Sequence, residues 1–314
     1  MKTQRIGKSD LVSTRLAYGC MRIAGGWDPA KVTESDRAAG RSAVIAAYEA
    51  GFRLFDHADI YGRGACESIF GEALRAAPSM RRDVLIATKC GVRFAGDPNP
   101  DSPARYDFAA EHIARSVEAS LTRLGVERID LYQLHRPDFL MNPEEVAAAF
   151  ERLRTAGKVR WFGVSNFWPA KVTALQAACP MPLVVNQVEV HLGRLDPFSD
   201  GTIDQCLAER MTPLAWSPVG RGLFADGGRP PQDHPKREGA EALLRLLDDT
   251  AKRHGVTRTA VSLAWLLKHP AGIIPIVGSA KPDHIRAAAT ADDVDLSREE
   301  WYRIFVAARM EKLP

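Results

Sequence analysis

Gly51-Phe52-Arg53-Leu54-Phe55-Asp56-His57-Ala58-Asp59-Ile60-Tyr61-Gly62 is the stretch on which the fold turns. Gly51 closes an apolar-periodic run over residues 35–50, in the place where a glycine takes the left-handed conformation that ends a helix. Residues 53–56 then form a short strand segment, and helical spacing resumes over 66–76. The same alternation continues outward on both sides. Further strand segments fall at 15–20, 84–89, 129–134, 160–164, 183–189, 213–216 and 273–277, which makes eight. Helical runs between them cover 109–124, 143–156, 169–178, 201–209, a pair at 239–254 and 258–268, and 282–289. Gly125, Gly157 and Gly255 end three of these runs, and Pro143 and Pro169 stand where a first-turn proline is tolerated. A last helix, 297–310, lies beyond the eight units.

Eight strand-helix units in 314 residues, undivided by any Pro/Ser-rich linker, predict an α/β chain folded as a (β/α)8 TIM barrel. The expectation is a single domain over 1–314, with an extra C-terminal helix and long loops over the C-terminal face. The rival, an open doubly wound sheet, would place GxGxxG after its first strand, where this chain has Met21-Arg22-Ile23-Ala24-Gly25-Gly26-Trp27. Residues 91–107 and 219–238 lack a regular pattern and each follow a strand, so they are expected to form substrate and cofactor flaps.

Apolar residues make up 46% of the chain and charged residues 26%, enough for a large core. Lys and Arg number 42 against 39 Asp and Glu, and no run of like charge concentrates the net +3, so neither nucleic acid nor a membrane surface is indicated as partner. No stretch approaches the roughly 18 apolar residues of a membrane span. The polar start, Met1 to Asp10, lacks a signal-peptide core, and a cytoplasmic protein is expected. Five cysteines without a CxxC pair suggest reduced thiols, and no metal site is foreseen. Cys20 and Cys90, at expected strand ends, are the two whose oxidation a neighbouring site would feel.

Polar residues at the C-terminal strand ends form a coherent chemical set. Asp56 ends the second strand, Lys89 the third, His135 follows the fourth, and Tyr61 lies five residues past Asp56. A tyrosine hydroxyl, with a reference pKa of about 10, donates its proton well to a developing alkoxide when a nearby cation steadies the phenolate. Lys89 would supply that cation, Asp56 would keep it charged, and His135 would orient or polarise a carbonyl oxygen. Taken singly, each has a plainer role as ion pair, packing ring or backbone cap; the constellation favours catalysis.

The opening stretch, Thr88-Lys89, Leu131-Tyr132-Gln133-Leu134-His135-Arg136-Pro137-Asp138, Gly157-Lys158-Val159-Arg160 leading to Gly163-Val164-Ser165-Asn166, and Asn186-Gln187-Val188-Glu189 together resemble the aldo-keto reductase superfamily, in particular its bacterial, monomeric NADPH-dependent members. The resemblance covers nearly the whole chain and implies a catalytic tetrad on Asp56, Tyr61, Lys89 and His135. It also implies NADPH, with NADH the lesser alternative, lying across the C-terminal face without a glycine-rich phosphate loop. On this likeness Ser165, Asn166 and Gln187 would hold the nicotinamide carboxamide, Trp216 would stack on its ring, and Ser217, Gly220 and Leu223 would lie over the pyrophosphate. Gly278, Ser279, Lys281, His284 and Arg286 match the segment that grips the 2′-phosphate, although His284 stands where relatives often carry Arg or Gln.

Substrate choice in this fold belongs to loops. Trp27, Phe94, Phe108 and Trp168 are expected above the site, lining an apolar pocket for aldehydes or small ketones. A monomer is expected, since no heptad pattern announces an interface. Two other functions fit parts of the pattern: a cofactor-binding regulatory or partner-binding module with little turnover, and a lyase using Lys89 as a Schiff-base nucleophile.

Overall fold

The computed structural model describes residues 1–313. Its centre is a closed barrel in which eight strands pair in parallel, each with its successor and the last with the first. The strands are Ala17–Gly19, Leu54–Asp56, Leu85–Cys90, Ile129–Leu134, Val159–Ser165, Leu183–Glu189, Thr212–Trp216 and Ile274–Val277. Ile276 opposite Ala17 and Val277 opposite Tyr18 make the closure. The (β/α)8 TIM barrel foreseen from the sequence is therefore present.

Helices Glu34–Glu49, Ala65–Ala76, Ala110–Leu124, Pro143–Thr155, Pro169–Ala178, Thr202–Glu209, Arg237–His254, Arg258–Leu267 and Pro282–Ala289 follow the barrel strands, and Arg298–Arg309 is the extra C-terminal helix. Their ends obey local chemistry. Thr33 with Asp36 and Ser297 with Glu300 form reciprocal capping boxes, and Gly125 ends its helix at φ 66°. One helical turn, Met80–Asp83, is too short to announce itself by periodicity.

The first barrel strand is shorter than residues 15–20: Arg15 donates its backbone N–H to Lys2 O at 3.2 Å, and Cys20 opens a short helical turn, Cys20–Arg22. That bond belongs with an N-terminal hairpin, Thr3–Arg5 paired with Val12–Thr14, which the sequence reading did not include. Ile6 and Leu11 from its loop pack with Ala17, Leu54, Ala87, Leu131, Leu214 and Ile274. The hairpin thus seals the N-terminal end of the barrel and leaves the opposite end for chemistry.

Both long segments hold more order than expected. Within 91–107, Val92–Arg93 pairs with Arg105–Tyr106, and buried Arg93 binds Asp97 at 2.7 Å and Asp107 at 2.8 Å. Within 219–238, the turn Gly220–Gly222 is followed by a strap to the next helix. Arg258 donates to Gly228 O at 2.8 Å and Ala225 O at 3.2 Å while its guanidinium grips Asp248 at 2.6 Å. Thr259 and the Arg258 N–H hold Asp226. Among the described residues no helix is long and apolar enough to cross a membrane.

Gly71 marks where helix Ala65–Ala76 crosses Ala110–Leu124 closely: a Cβ there would meet Arg123 O and Leu124 O at 2.7 Å. Gly71→Ala should therefore destabilise by about 1–3 kcal/mol, despite the helix propensity it gains. Urea unfolding checks this, and an unchanged midpoint would mean that the two helices separate freely.

Candidate active site

Strand alternation brings the polar side chains together. Leu54, Ala87, Leu131 and Val185 belong to the apolar barrel interior. Two residues further along the same strands come Asp56, Lys89, Gln133 and Gln187, which point the same way. All four are buried, and Lys89 lies directly opposite Gln133. A polar layer is thus stacked on an apolar floor at the C-terminal end.

Lys89 Nζ donates to Asp56 Oδ1 at 2.7 Å, Asp56 Oδ2 at 2.8 Å and His57 O at 2.7 Å, and it lies 3.4 Å from the Tyr61 hydroxyl. Burial by itself would favour a neutral amine, but the Asp56 charge and these hydrogen bonds outweigh it and raise the Lys89 pKa. Burial likewise pushes the Tyr61 phenol above its ordinary value, an effect that Lys89 opposes and Asp56 reinforces. The ammonium therefore tempers the phenol without turning it into a phenolate. The His135 ring meets the Tyr61 ring edge-on at 5.9 Å. Burial, then the charges of Lys89 and Arg136, hold His135 well below the usual imidazole value, so it is neutral, and its Nδ1 is buried without a partner among the described residues. The structure brings Asp56, Tyr61, Lys89 and His135 into one place.

The residues assigned by resemblance to the nicotinamide form a hydrogen-bonded chain beside this set. Trp216 Nε1 donates to Asn166 Oδ1 at 2.9 Å, and Asn166 Nδ2 donates to Ser165 Oγ at 2.8 Å and His135 O at 3.1 Å. Ser165 Oγ in turn donates to Gln187 O at 2.9 Å. Asn166 takes the left-handed conformation, φ 61°, that turns its amide back over the strand ends. Gln187 Nε2 donates to Asp56 Oδ1 at 2.8 Å, leaving Oε1 as its acceptor.

Around the rim, Ser217 and Gly220 both have positive φ, 51° and 55°, and Gly220 N–H donates to Ser217 O at 2.8 Å; Leu223 is half-buried. Gly278, Lys281, His284 and Arg286 are exposed and Ser279 is half-buried. Ser279 Oγ accepts the Lys281 N–H at 3.2 Å. Helix Pro282–Ala289 begins here without a side-chain cap, and Arg286 reaches only the exposed Asp283, at 2.6 Å. Uncapped N–H groups, a hydroxyl and two cations make a donor set that fits a phosphate.

Of the four aromatic residues expected above the site, Trp27 is 54% exposed and meets Tyr61 edge-on at 6.4 Å. Phe94 lies 4.5 Å from the Arg63 guanidinium. Trp168 is 43% exposed and faces Phe139, an apolar rim residue that sequence reasoning passed over, at 6.2 Å. Phe108 corrects the expectation: it is buried and stacks on Phe167 at 6.3 Å. The missing side chain of Gly91 leaves the space that its ring fills. Cys20 and Cys90 are fully buried, and burial pushes both thiols well up, away from the reactive thiolate.

The Aldo/keto reductase family model matches residues 15–307 of this chain. The chain belongs to the aldo/keto reductase family. It is similar to the 6-dehydroglucose reductase of Novosphingobium aromaticivorans, 37% identical over 99% of this chain and 97% of that protein. It is also similar to the 6-dehydroglucose reductase of Agrobacterium fabrum, 39% identical over 97% and 98% of the two chains. Among solved structures it resembles the glycerol dehydrogenase of Gluconobacter oxydans, with a TM-score of 0.86 and 27% identity over 99% of this chain and 97% of that one. The chain is thus an oxidoreductase of the aldo/keto reductase family, whose members generally use nicotinamide cofactors.

This aldo/keto reductase also carries buried polar groups that sequence reasoning missed. Gln133 Oε1 accepts from Gln187 Nε2 at 3.4 Å; its place two residues after Leu131 was the available signal. Behind Lys89, the fully buried Glu67 accepts from Thr88 Oγ1 at 2.6 Å and Arg123 Nε at 2.7 Å. Burial and the Glu67 charge push the neighbouring Asp59 carboxyl up to about 8. A carboxyl raised in the folded state favours folding at low pH, and that contribution is lost as pH rises from its ordinary value of 3.8 through 8. Asp59→Asn, which cannot ionise, should match the native protein near its acidic limit and exceed its Tm at alkaline pH by on the order of 2–4 °C. Melting curves across this range check it; a difference that does not change with pH would mean that Asp59 titrates normally.

Proposed function

We propose that this aldo/keto reductase acts as one domain over residues 1–314 and reduces aldehydes or small ketones to alcohols with NADPH, Tyr61 giving the proton. The observation that carries the proposal is the Tyr61 hydroxyl 3.4 Å from the Nζ of a Lys89 locked on Asp56. When bound, the reduced nicotinamide supplies the hydride. Tyr61 donates its phenolic proton to the carbonyl oxygen, and Lys89 steadies the phenolate left behind. Asp56 keeps Lys89 charged. A neutral His135 has one ring proton; carried on Nε2, it polarises the same oxygen, with Nδ1 unprotonated in its apolar surroundings.

Ser165, Asn166, Gln187 and Trp216 would hold the nicotinamide, Ser217, Gly220 and Leu223 the pyrophosphate, and the Gly278, Ser279, Lys281, His284 and Arg286 segment the 2′-phosphate. That last donor set supports NADPH over NADH. A Schiff-base role for Lys89 finds no support, because an amine with a raised pKa and two protein acceptors is a poor nucleophile. Trp27, Phe94 and Trp168 remain the pocket residues, and the names of the two relatives put 6-dehydroglucose on the substrate panel.

Tyr61→Phe should lower kcat/KM for an aldehyde about 100- to 10,000-fold while NADPH binding, followed by tryptophan fluorescence, stays the same. Full turnover by that variant would refute the assignment, and tight NADPH binding by the native protein without turnover would favour a regulatory module. Since the donor is the acid form and burial raises its pKa above the ordinary phenol value, reduction should hold through neutral pH and decline only on the strongly alkaline side. Lys281→Ala should weaken NADPH binding about tenfold and leave NADH nearly unaffected; equal losses for both would move the 2′-phosphate site elsewhere.

A further inference from the structure

Arg136 directly follows His135, and its guanidinium carbon stands 5.5 Å from the centroid of the Trp216 ring. The residue is half-buried, yet among the described residues it forms no ion pair and no side-chain hydrogen bond. Other sheltered arginines behave differently: Arg93, Arg123 and Arg258 each rest on a carboxylate. Its support is rigid. Trp216 is tied to Asn166, and Asn166 to the carbonyl of His135, so the ring beneath the guanidinium is fixed to the backbone that carries the reacting imidazole. The charge of Arg136 is felt at both Tyr61 and His135. A guanidinium has five donors in a planar fork and no acceptor, and here no protein group among the described residues occupies any of them, which leaves the fork open to a ligand's acceptor oxygens.

We propose that Arg136 is a specificity-determining residue, selecting carbonyl substrates that present acceptor oxygens, hydroxyl or carboxylate, on the carbon next to the reacting carbonyl. Its cation–π contact with Trp216 places the guanidinium beside the site and leaves its N–H groups for the substrate. The proposal rests on the carbonyl-reductase reading and adds the substrate chemistry that the apolar rim does not supply.

Arg136→Met keeps the stem on Trp216 and removes every donor; Arg136→Lys keeps the charge and removes the fork. With NADPH, kcat/KM of Arg136→Met should fall about tenfold or more for glyceraldehyde and glyoxylate, mainly through KM, while butanal stays within about twofold. Arg136→Lys should recover part of the glyoxylate activity. The larger loss, for glyceraldehyde or for glyoxylate, tells whether hydroxyl or carboxylate is the preferred partner. Equal losses for all three aldehydes, no loss for any, or weaker NADPH binding without substrate would overturn the proposal. If the native enzyme reduces none of these aldehydes, the reading of the previous section fails by itself. Calorimetry of glycerate with NADP+ then decides for Arg136: binding lost in Arg136→Met supports the proposal, and equal binding refutes it.

Discussion

A single buried ammonium, Lys89 held between Asp56 and the carbonyl of His57, is the constraint to which the surrounding structure answers. A buried ion pair adds little net stability over an apolar packing, but losing one partner costs about 3–5 kcal/mol. The surroundings therefore complete the pair rather than merely cover it. Gln187 gives Asp56 a further hydrogen bond, Gln133 supports Gln187, and the apolar layer sealed by Ile6 and Leu11 keeps water from entering below. Around the Lys89–Asp56 pair three titratable neighbours are held neutral. Tyr61 keeps its proton, His135 stays unprotonated, and burial followed by the Lys89 charge drives His57 down to about 3. A buried ion pair whose other neighbours are neutral is the environment in which a phenol can release its proton to an oxygen that is becoming negative.

The barrel was legible because its signal is local. Helix-closing glycines, first-turn prolines and short β-branched runs recur with each unit, and the bounds at Ile129–Leu134 and Leu183–Glu189 follow directly from them. The N-terminal hairpin escaped notice because Thr3–Arg5 is mostly polar and outward-facing, so its pairing shows no alternation. Its anchors, Ile6 and Leu11, acquire meaning only when the barrel floor is present. Phe108 was misplaced for a similar reason: an aromatic residue in a loop gives no sign that a distant glycine has vacated space for it.

Asp56 and Lys89 drew notice by placement, since a strand that ends in Asp or Lys over an apolar run calls for an explanation; Tyr61 and His135 joined them through the constellation and the family resemblance. What tied them together was not legible. Trp216 to Asn166, Asn166 to His135 and Gln187 to Asp56 join different strands, and no spacing in the chain encodes them. Gln133 lies within the Leu131–Asp138 stretch, and only the two-residue alternation from Leu131 assigns it to the polar layer.

The Arg258 strap has a thermodynamic consequence for ligand capture. A flap that wraps a dinucleotide ordinarily loses conformational freedom on closing, and that loss is subtracted from the affinity. Here Arg258 already holds Ala225 and Gly228, and Asp226 is bound by Thr259 and the Arg258 amide, all within the protein itself. Residues 225–228 are thus tied to the protein in advance. On the proposed cofactor role of this segment, changes at Arg258 or Asp248, which stand on two successive helices, would alter the dissociation rate without touching the residues assigned to the cofactor.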